Sequence, residues 1–221
     1  MNAMHCTDPM LPLPGLGVVV LAAGAGQRLQ GWPKCLVQVN GQPLLQRLVT
    51  ALQVLQPAQT VVVLGHHAER VARCCAHLPV HTVRHADPAV DQVASLRLGL
   101  GALDTAPVVL VALADQPLID GADLLDLARA WCLRPAGTQV LQPQVQGQPG
   151  NPVILDAAVC QAILAGPDAL GCKQWQAQHP AQVYRWPSDN THFIMDIDTP
   201  QDLHTLQTRT GWTVDVPLEH E

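Results

Sequence analysis

A chain of 221 residues with 48% hydrophobic and 14% charged residues has enough length and apolar content for one full α/β core, which excludes a disordered polymer. Its net charge of −6 argues against nucleic acid as a bulk electrostatic partner. Aromatic residues make up 3%, so the core has to be aliphatic.

The first fifteen residues carry no basic n-region and are broken by prolines, so 1–15 reads as a flexible leader rather than a signal peptide. No apolar run approaches the ~20 residues of a membrane-spanning helix. The seven cysteines show no C-x-x-C pair and fit reduced thiols in a cytoplasmic protein. The expectation is a cytoplasmic chain without membrane or nucleic-acid partners.

Gly17–Leu21 is a continuous apolar run, the pattern of a strand buried on both faces. Leu36–Val39 reads as a short strand before the Asn40-Gly41 turn. Pro43 suits a first helical position, and Leu44, Leu45, Leu48, Leu52 and Leu55 mark an amphipathic helix that Pro57 ends. Thr60–Leu64 is the next strand, His67–His77 a helix, Val80–Val83 a short strand and Val93–Leu103 a helix. Pro107–Ala114 is the longest apolar strand, and Asp120 caps a helix running to about Trp131. This alternation predicts a mostly parallel, doubly wound sheet in a single domain over 16–208.

Residues 134–155, rich in Gln, Pro and Gly, read as a hairpin-like excursion. Helices are expected at Asp156–Leu164, Gly171–Gln178 and Pro200–Gln207, with late strands at Val183 and Phe193–Ile197. Residues 209–221 are expected to be peripheral.

The chemistry centres on Val18–Lys34. The first strand runs into Ala22-Ala23-Gly24-Ala25-Gly26, a turn almost without side chains. Glycines there admit φ > 0 and close ligand approach, and consecutive bare N–H groups form an anion-binding concavity. Arg28 and Lys34 follow as fixed positive charges. No Asp or Glu occurs between Pro9 and Ala68, so this segment carries +3 while the rest of the chain carries −9. Lys34 is one of two lysines among twelve basic residues, which marks a place for a compact ammonium. The turn is neither of two better-known phosphate loops. Pro33 and Cys35 flank Lys34 where a P-loop needs Gly and Ser or Thr, and Leu29 stands at the third glycine of a dinucleotide fingerprint.

Asp115 follows eight apolar residues at a strand's carboxyl end, where ligands gather in open α/β sheets, and is a good Mg²⁺ ligand there. Asp198 stands at a strand-to-helix junction before Thr199-Pro200, as a metal ligand, a helix cap, or both. His66, His67, His85, Cys74 and Cys75 match no zinc spacing.

The run L-A-A-G-A-G-Q-R over 21–28, with Lys34, resembles the L-A-A-G-x-G-x-R…K signature of the nucleotidyltransferases. With G-N-P at 150–152, D-A-L-G-C-K at 168–173 and D-I-D-T-P-Q-D-L at 196–203, the chain resembles the MobA-like branch, and within it the molybdenum cofactor cytidylyltransferases. The resemblance implies a Rossmann-like α/β fold of the nucleotide-diphospho-sugar transferase kind. It implies Mg²⁺-dependent transfer of CMP from CTP to the phosphate of molybdopterin or its molybdenum form, releasing pyrophosphate. Leu21, Ala22, Ala23, Gly24, Ala25, Gly26, Gln27, Arg28, Lys34, Ser95 and Gly99 would bind the nucleotide. Arg28, Lys34 and Asp115 would be catalytic, and Asp115 and Asp198 would hold the metal. Gly150, Asn151, Pro152 and Lys173 would face the acceptor.

Three departures from the family pattern stand out: Ala114 replaces a Gly before Asp115, Asn151 replaces a His, and Cys172-Lys173 replaces Ala-Arg. Ser95 reads equally as an ordinary helix residue. The alternatives are guanylyl transfer from GTP to the same acceptor, transfer to a sugar phosphate, or a non-catalytic nucleotide-binding chaperone for a recipient molybdoenzyme.

Overall fold

The computed structural model describes residues 13–86 and 91–216. Most of the leader and the end of the tail lie outside the described residues. In chain order the elements are β1 (Leu16–Ala22), β2 (Gln38–Val39), β3 (Gln42–Pro43), α1 (Leu44–Leu52), β4 (Gln59–Leu64), α2 (Ala68–Cys75), β5 (His81–Arg84), α3 (Gln92–Gly101) and β6 (Val108–Leu113). There follow α4 (Gly121–Cys132), β7 (Val140–Val145), β8 (Gln148–Pro149), β9 (Val153–Asp156), α5 (Ala157–Ala165), α6 (Cys172–Gln178), β10 (Val183–Pro187), α7 (Pro200–Thr210) and β11 (Val214–Asp215).

The main sheet runs β10-β7-β9-β6-β1-β4-β5. β1 is parallel to both β4 and β6, with Val19 opposite Val61 on one side and Val111 on the other. Successive side chains of a strand point to opposite faces. Val18 and Val20 therefore pack toward α1, α2 and α4 with Leu48, Val71 and Leu127. Val19 packs toward α3, α5 and α6 with Leu96, Ile163 and Trp175. A strand covered on both faces has no polar positions, which is why the apolar run is unbroken. Gly99 lets α3 approach closely: a Cβ there would lie 2.5 Å from Val19 Cγ1 and 2.9 Å from Val63 Cγ2.

The chain passes from β1 outward through β4 and β5, then crosses back to form β6 on the other side of β1. That reversal is a topological switch point, and it opens a crevice beyond the carboxyl ends of β1 and β6. The loop after Ala22 and the carboxylate of Asp115 lie at these two ends.

Four local expectations are corrected. The stretch 134–155 is a hairpin-like excursion only in part. β7 and β8 form a hairpin through Gln146 and Gly147, both at positive φ. β9, however, inserts antiparallel between β6 and β7, with Val153, Ile154 and Leu155 buried. The Gln-rich composition describes the hairpin tip, while the apolar positions belong to the core. Phe193–Ile197 is not a strand: Thr191–Ile194 is a 3₁₀ turn capped by Asn190, and the residues after it are extended without pairing. Its backbone groups bond to the site, with Asn151 N–H donating to Phe193 O and Ile197 N–H to Asp115 O. Lys34–Leu36 is a 3₁₀ turn, so β2 begins later than the apolar pattern implies. Pro43 ends β3 and precedes the first helical residue, Leu44.

β11, β2 and β3 make a second, small antiparallel sheet. A separate apolar cluster joins Leu29, Val37, Val39, Leu118, Ile197 and Leu206, with Trp212 and Val214 packed on it. It anchors both the segment after the glycine loop and the segment that carries Asp198. No described helix is long and apolar enough to cross a membrane.

Candidate active site

The loop after β1 is shaped by two glycines that cannot be replaced for steric reasons. Gly26 has φ 64, and a Cβ there would lie 1.7 Å from Trp32 O. With the side chain absent, Gly26 O accepts from Leu29 N and Gly31 N at 2.8 and 3.0 Å and closes a 3₁₀ turn over Gln27–Leu29. Gly65, directly after β4, supports the loop from beneath. A Cβ at Gly65 would lie 2.4 Å from Ala23 O, and His66 N–H donates to that oxygen at 3.4 Å. His67 Nε2 meets Ala25 O at 3.2 Å, which makes Nε2 the donating nitrogen. Gly24 faces the other way: a Cβ there would meet nothing within 4 Å, so this surface of the loop is open.

Lys34 Nζ donates to Asp198 Oδ1 and lies 3.4 Å from Asp115 Oδ2. Arg28 Nη1 reaches Asp198 Oδ2 at 2.7 Å. The Lys34, Asp115 and Asp198 side chains are 19%, 22% and 26% exposed, so the pairs sit at the floor of an open crevice. Burial pushes the Asp115 carboxyl above its ordinary range against the pull of Lys34, and the Asp196 charge adds to the rise. Burial works against the Lys34 ammonium, but its bond to Asp198 and the charge of Asp115 hold its pKa above the usual lysine value.

The backbone fixes these side chains from three directions. Ala114 N–H donates to Leu21 O at 3.1 Å, which joins the ends of β6 and β1. Ile197 N–H donates to Asp115 O at 2.9 Å, which brings in the segment before α7. Thr199 is the N-cap of α7 in a capping box with Asp202, and Asp198 N–H donates to Asp202 Oδ2 at 3.0 Å. Thr199 therefore caps the helix, and the Asp198 carboxylate is left to face Lys34 and Arg28. Asp120 likewise caps α4 with Asp123, which leaves the Asp115 side chain outside any capping role.

The G-N-P turn lies beside this centre. A Cβ on Gly150 would lie 2.7 Å from Phe193 O. Gln116 Nε2 donates to Asn151 O at 3.3 Å and to Phe193 O at 3.2 Å. The Asn151-Pro152 bond is cis. Asn151 and Lys173 border a cavity of about 570 Å³ that also reaches Leu21 and Leu113, the ends of β1 and β6. That volume suits a drug-sized ligand. Ser95 and Gly99 lie deeper, and neither is among the described residues lining this cavity. Ser95 Oγ donates to Asp91 O at 3.1 Å and meets His85 Nε2 at 3.1 Å. Trp131 and Trp175 are buried packing residues.

Gln116 and Gly65 were not singled out in the sequence, and His67 was considered there only as a metal ligand and set aside. Gln116 fell at the unassigned place between Asp115 and Pro117. Gly65 could have been found as a glycine directly after a core strand.

The carboxylates fit a divalent cation. Asp115 Oδ1 is buried and has no hydrogen-bond partner among the described residues. Lys34 and Arg28 occupy the two different oxygens of Asp198, and Lys34 also reaches Asp115 Oδ2. A second group, Asp120, Asp123 and His192, brings ligand atoms within 4.8 Å of one another. There Asp123 already accepts from Asp120 N–H, His192 Nδ1 and Asn190 Nδ2 at 2.9, 2.9 and 2.5 Å.

Comparison with known proteins agrees with this geometry. The model of the MobA-like NTP transferase domain matches residues 18–183. The bifunctional protein GlmU of Bordetella parapertussis is 36% identical over 162 residues, 67% of this chain and 34% of that protein. The chain thus spans about a third of the length of that relative. A nucleotidyl transferase from Methanothermobacter superposes with a TM-score of 0.73 at 22% identity, covering 89% of this chain and 98% of that one. Rv0371c of Mycobacterium tuberculosis gives 0.72 at 25% identity, over 87% and 96%. The molybdopterin-guanine dinucleotide biosynthesis protein A of Archaeoglobus fulgidus gives 0.60 at 21%, over 88% and 98%. With the glycine loop, Lys34 and the strand-end carboxylates on one mostly parallel sheet, the chain belongs to the MobA-like NTP transferase family.

Proposed function

We propose that this chain is a cytidylyltransferase that moves CMP from CTP to the phosphate of a molybdopterin-type acceptor and releases pyrophosphate. The observation that carries the reading is the meeting of Lys34, Asp115 and Asp198 at the open end of the glycine loop. The amides of Gly24–Gln27, Arg28 and Lys34 hold the triphosphate. Asp115 and Asp198 hold a divalent cation, taken to be Mg²⁺, which supplies charge neutralisation at the phosphates. A manganese complex of the Mycobacterium tuberculosis neighbour is in keeping with a divalent ion in this fold.

An ionised phosphate monoester is already a nucleophile, so the protein needs no general base. Its acceptor oxygen attacks the α-phosphate and the bond to pyrophosphate breaks. Catalysis then rests on positioning and charge stabilisation. Gln116 keeps the Gly150–Pro152 turn in place, so Asn151 offers its amide to the acceptor at a fixed position. A cytoplasmic site and onward delivery to a molybdoenzyme belong to the same reading.

The base is read by the turn. The backbone of Ala22–Gly24 lies along the base edge, and a wrong base leaves buried polar groups unpaired. The Cβ of Ala23 narrows that space against a purine. Pyrophosphate release with molybdopterin and each NTP in turn tests the proposal. CTP should be preferred, and Ala23→Gly should relax the preference. Equal or better use of GTP by the wild type makes the chain a guanylyltransferase, in line with the named activity of the Archaeoglobus neighbour. No turnover with molybdopterin, but turnover with a sugar phosphate, overturns the acceptor assignment.

A further inference from the structure

We propose that Lys173 and Arg185 form a subsite for a second negatively charged group of the acceptor, at the end remote from the phosphate that receives the nucleotide. This rests on the transferase reading and narrows the acceptor to a phosphate ester with a further anionic group.

The cavity beside the G-N-P turn has an apolar floor from the central strands, including Leu21, Val111 and Leu113. Lys173, in the first turn of α6, and Arg185, on β10, stand in its walls. Among the described residues, no carboxylate lines it. In a chain of net charge −6, two cations from separate elements facing one cavity without an acidic partner there leave a positive potential that an anion offsets.

Arg185 is braced in this position. Its Nη1 donates to Gln142 Oε1, and Gln142 Nε2 donates in turn to Gly150 O at 3.1 Å. The guanidinium is thereby linked to the turn that carries Asn151, and it retains further N–H donors for a ligand. Cys172 lies on the same cavity wall. Burial pushes its thiol up, while the amide of Gln176 and the nearby Arg185 charge pull the other way.

The sheet sets the distance. From β6, whose carboxyl end leads into Asp115, to β10 is three strand spacings, about 14 Å. An arginine side chain does not span that gap, so Arg185 does not serve the phosphate that reacts beside Asp115. It reads the acceptor's other end. A sugar phosphate with only neutral hydroxyls at that end gives these cations nothing to pair with.

The test uses Cys172 as a reporter and needs no knowledge of the acceptor. The full chain is alkylated with iodoacetate, an anion, or with iodoacetamide, its neutral counterpart, and carboxymethylation or carbamidomethylation of the Cys172 peptide, respectively, is followed by mass spectrometry. In either reaction the thiolate sulfur takes the carbon and iodide leaves. Lys173 and Arg185 are exposed, so Lys173→Gln/Arg185→Gln retains the fold. The iodoacetate-to-iodoacetamide rate ratio at Cys172 should fall at least about fivefold in that double variant, because the local anion concentration falls. With CTP and molybdopterin, either single variant should raise the acceptor KM about tenfold and leave the CTP KM unchanged. An unchanged ratio overturns the subsite. Absence of turnover with molybdopterin overturns the acceptor named above, and the alkylation ratio still decides whether the anion subsite exists.

Discussion

Lys34 and Asp198, 164 residues apart in the chain, meet in a hydrogen-bonded ion pair on the floor of the crevice. Arg28 joins Asp198 from the more exposed side, and Asp115 lies 3.4 Å from the same ammonium. The cations proposed to hold the triphosphate thus rest on the carboxylates proposed to hold the metal. Metal and nucleotide binding should therefore be coupled, each releasing the groups that the other needs. Lys34→Ala should weaken CTP binding about tenfold, because a charge-assisted phosphate contact is lost. The same change should strengthen binding of Mn²⁺ alone, because the ammonium no longer competes for Asp115 and Asp198. Calorimetry with each ligand separately distinguishes this from a packing role, in which both affinities would stay at wild-type values.

Asp115→Asn tests the carboxylate itself. The amide keeps the size and one acceptor oxygen, so the fold should survive with an unchanged melting profile. Turnover should fall at least about a hundredfold, since the charge on the proposed metal ligand is gone. Normal activity at ordinary Mg²⁺ concentration would remove Asp115 from the metal site.

Gly65→Ala probes the support beneath the loop. The new Cβ would press on Ala23 O, 2.4 Å away, and displace the backbone proposed to face the base. Crowding of this kind costs about 1–3 kcal/mol of stability. The CTP KM should rise more than the acceptor KM, because the shifted backbone belongs to the nucleotide side. Equal changes in both would place the effect in general unfolding.

The sheet was legible because each central strand is covered on both faces and so reads as an unbroken apolar run, Val18–Leu21, Val61–Leu64 and Val108–Leu113. The loop residues Gly24 and Gly26, and the pair Asp115 and Asp198, could be read because they stand directly at strand or helix ends. The stretch 134–155 misled because Gln142 and Gln144 alternate with core positions, and periodicity does not reveal that a strand returns to the main sheet. Phe193–Ile197 has strand composition, but Asn190 turns it into a 3₁₀ segment whose carbonyls serve Asn151 and Gln116. Gln116 and Gly65 act by supporting backbone from across the fold. A partner distant in the chain leaves no local signal, so Gln116 was not visible in the sequence, and Gly65 showed only as a glycine directly after a core strand.

Asp202 makes one pH-dependent contribution to the site's stability. Some burial opposes its charge, but the Thr199 hydroxyl and the N–H groups of Asp198 and Thr199 all donate to Oδ2, and its carboxyl is held below the ordinary range. A carboxylate with a lowered folded-state pKa contributes stability that is present above its unfolded pKa. That contribution is lost as pH falls through the folded value. Asp202→Asn should therefore cost about 1 kcal/mol at pH 7, the usual scale for a helix-cap group. For a chain of this length that is a drop of about 2–4 °C in Tm. As pH falls toward and through that folded value the wild-type carboxyl takes up its proton, and the gap between the two melting temperatures should shrink. Because Asp198 N–H is one of the donors, the variant should also lose turnover at pH 7 as the metal-facing carboxylate loosens. Thermal melts of both proteins at pH 7 and pH 3, with pyrophosphate release at pH 7, check the two effects. A Tm difference that stays constant across this range would show that Asp202 acts as a neutral cap rather than through its charge.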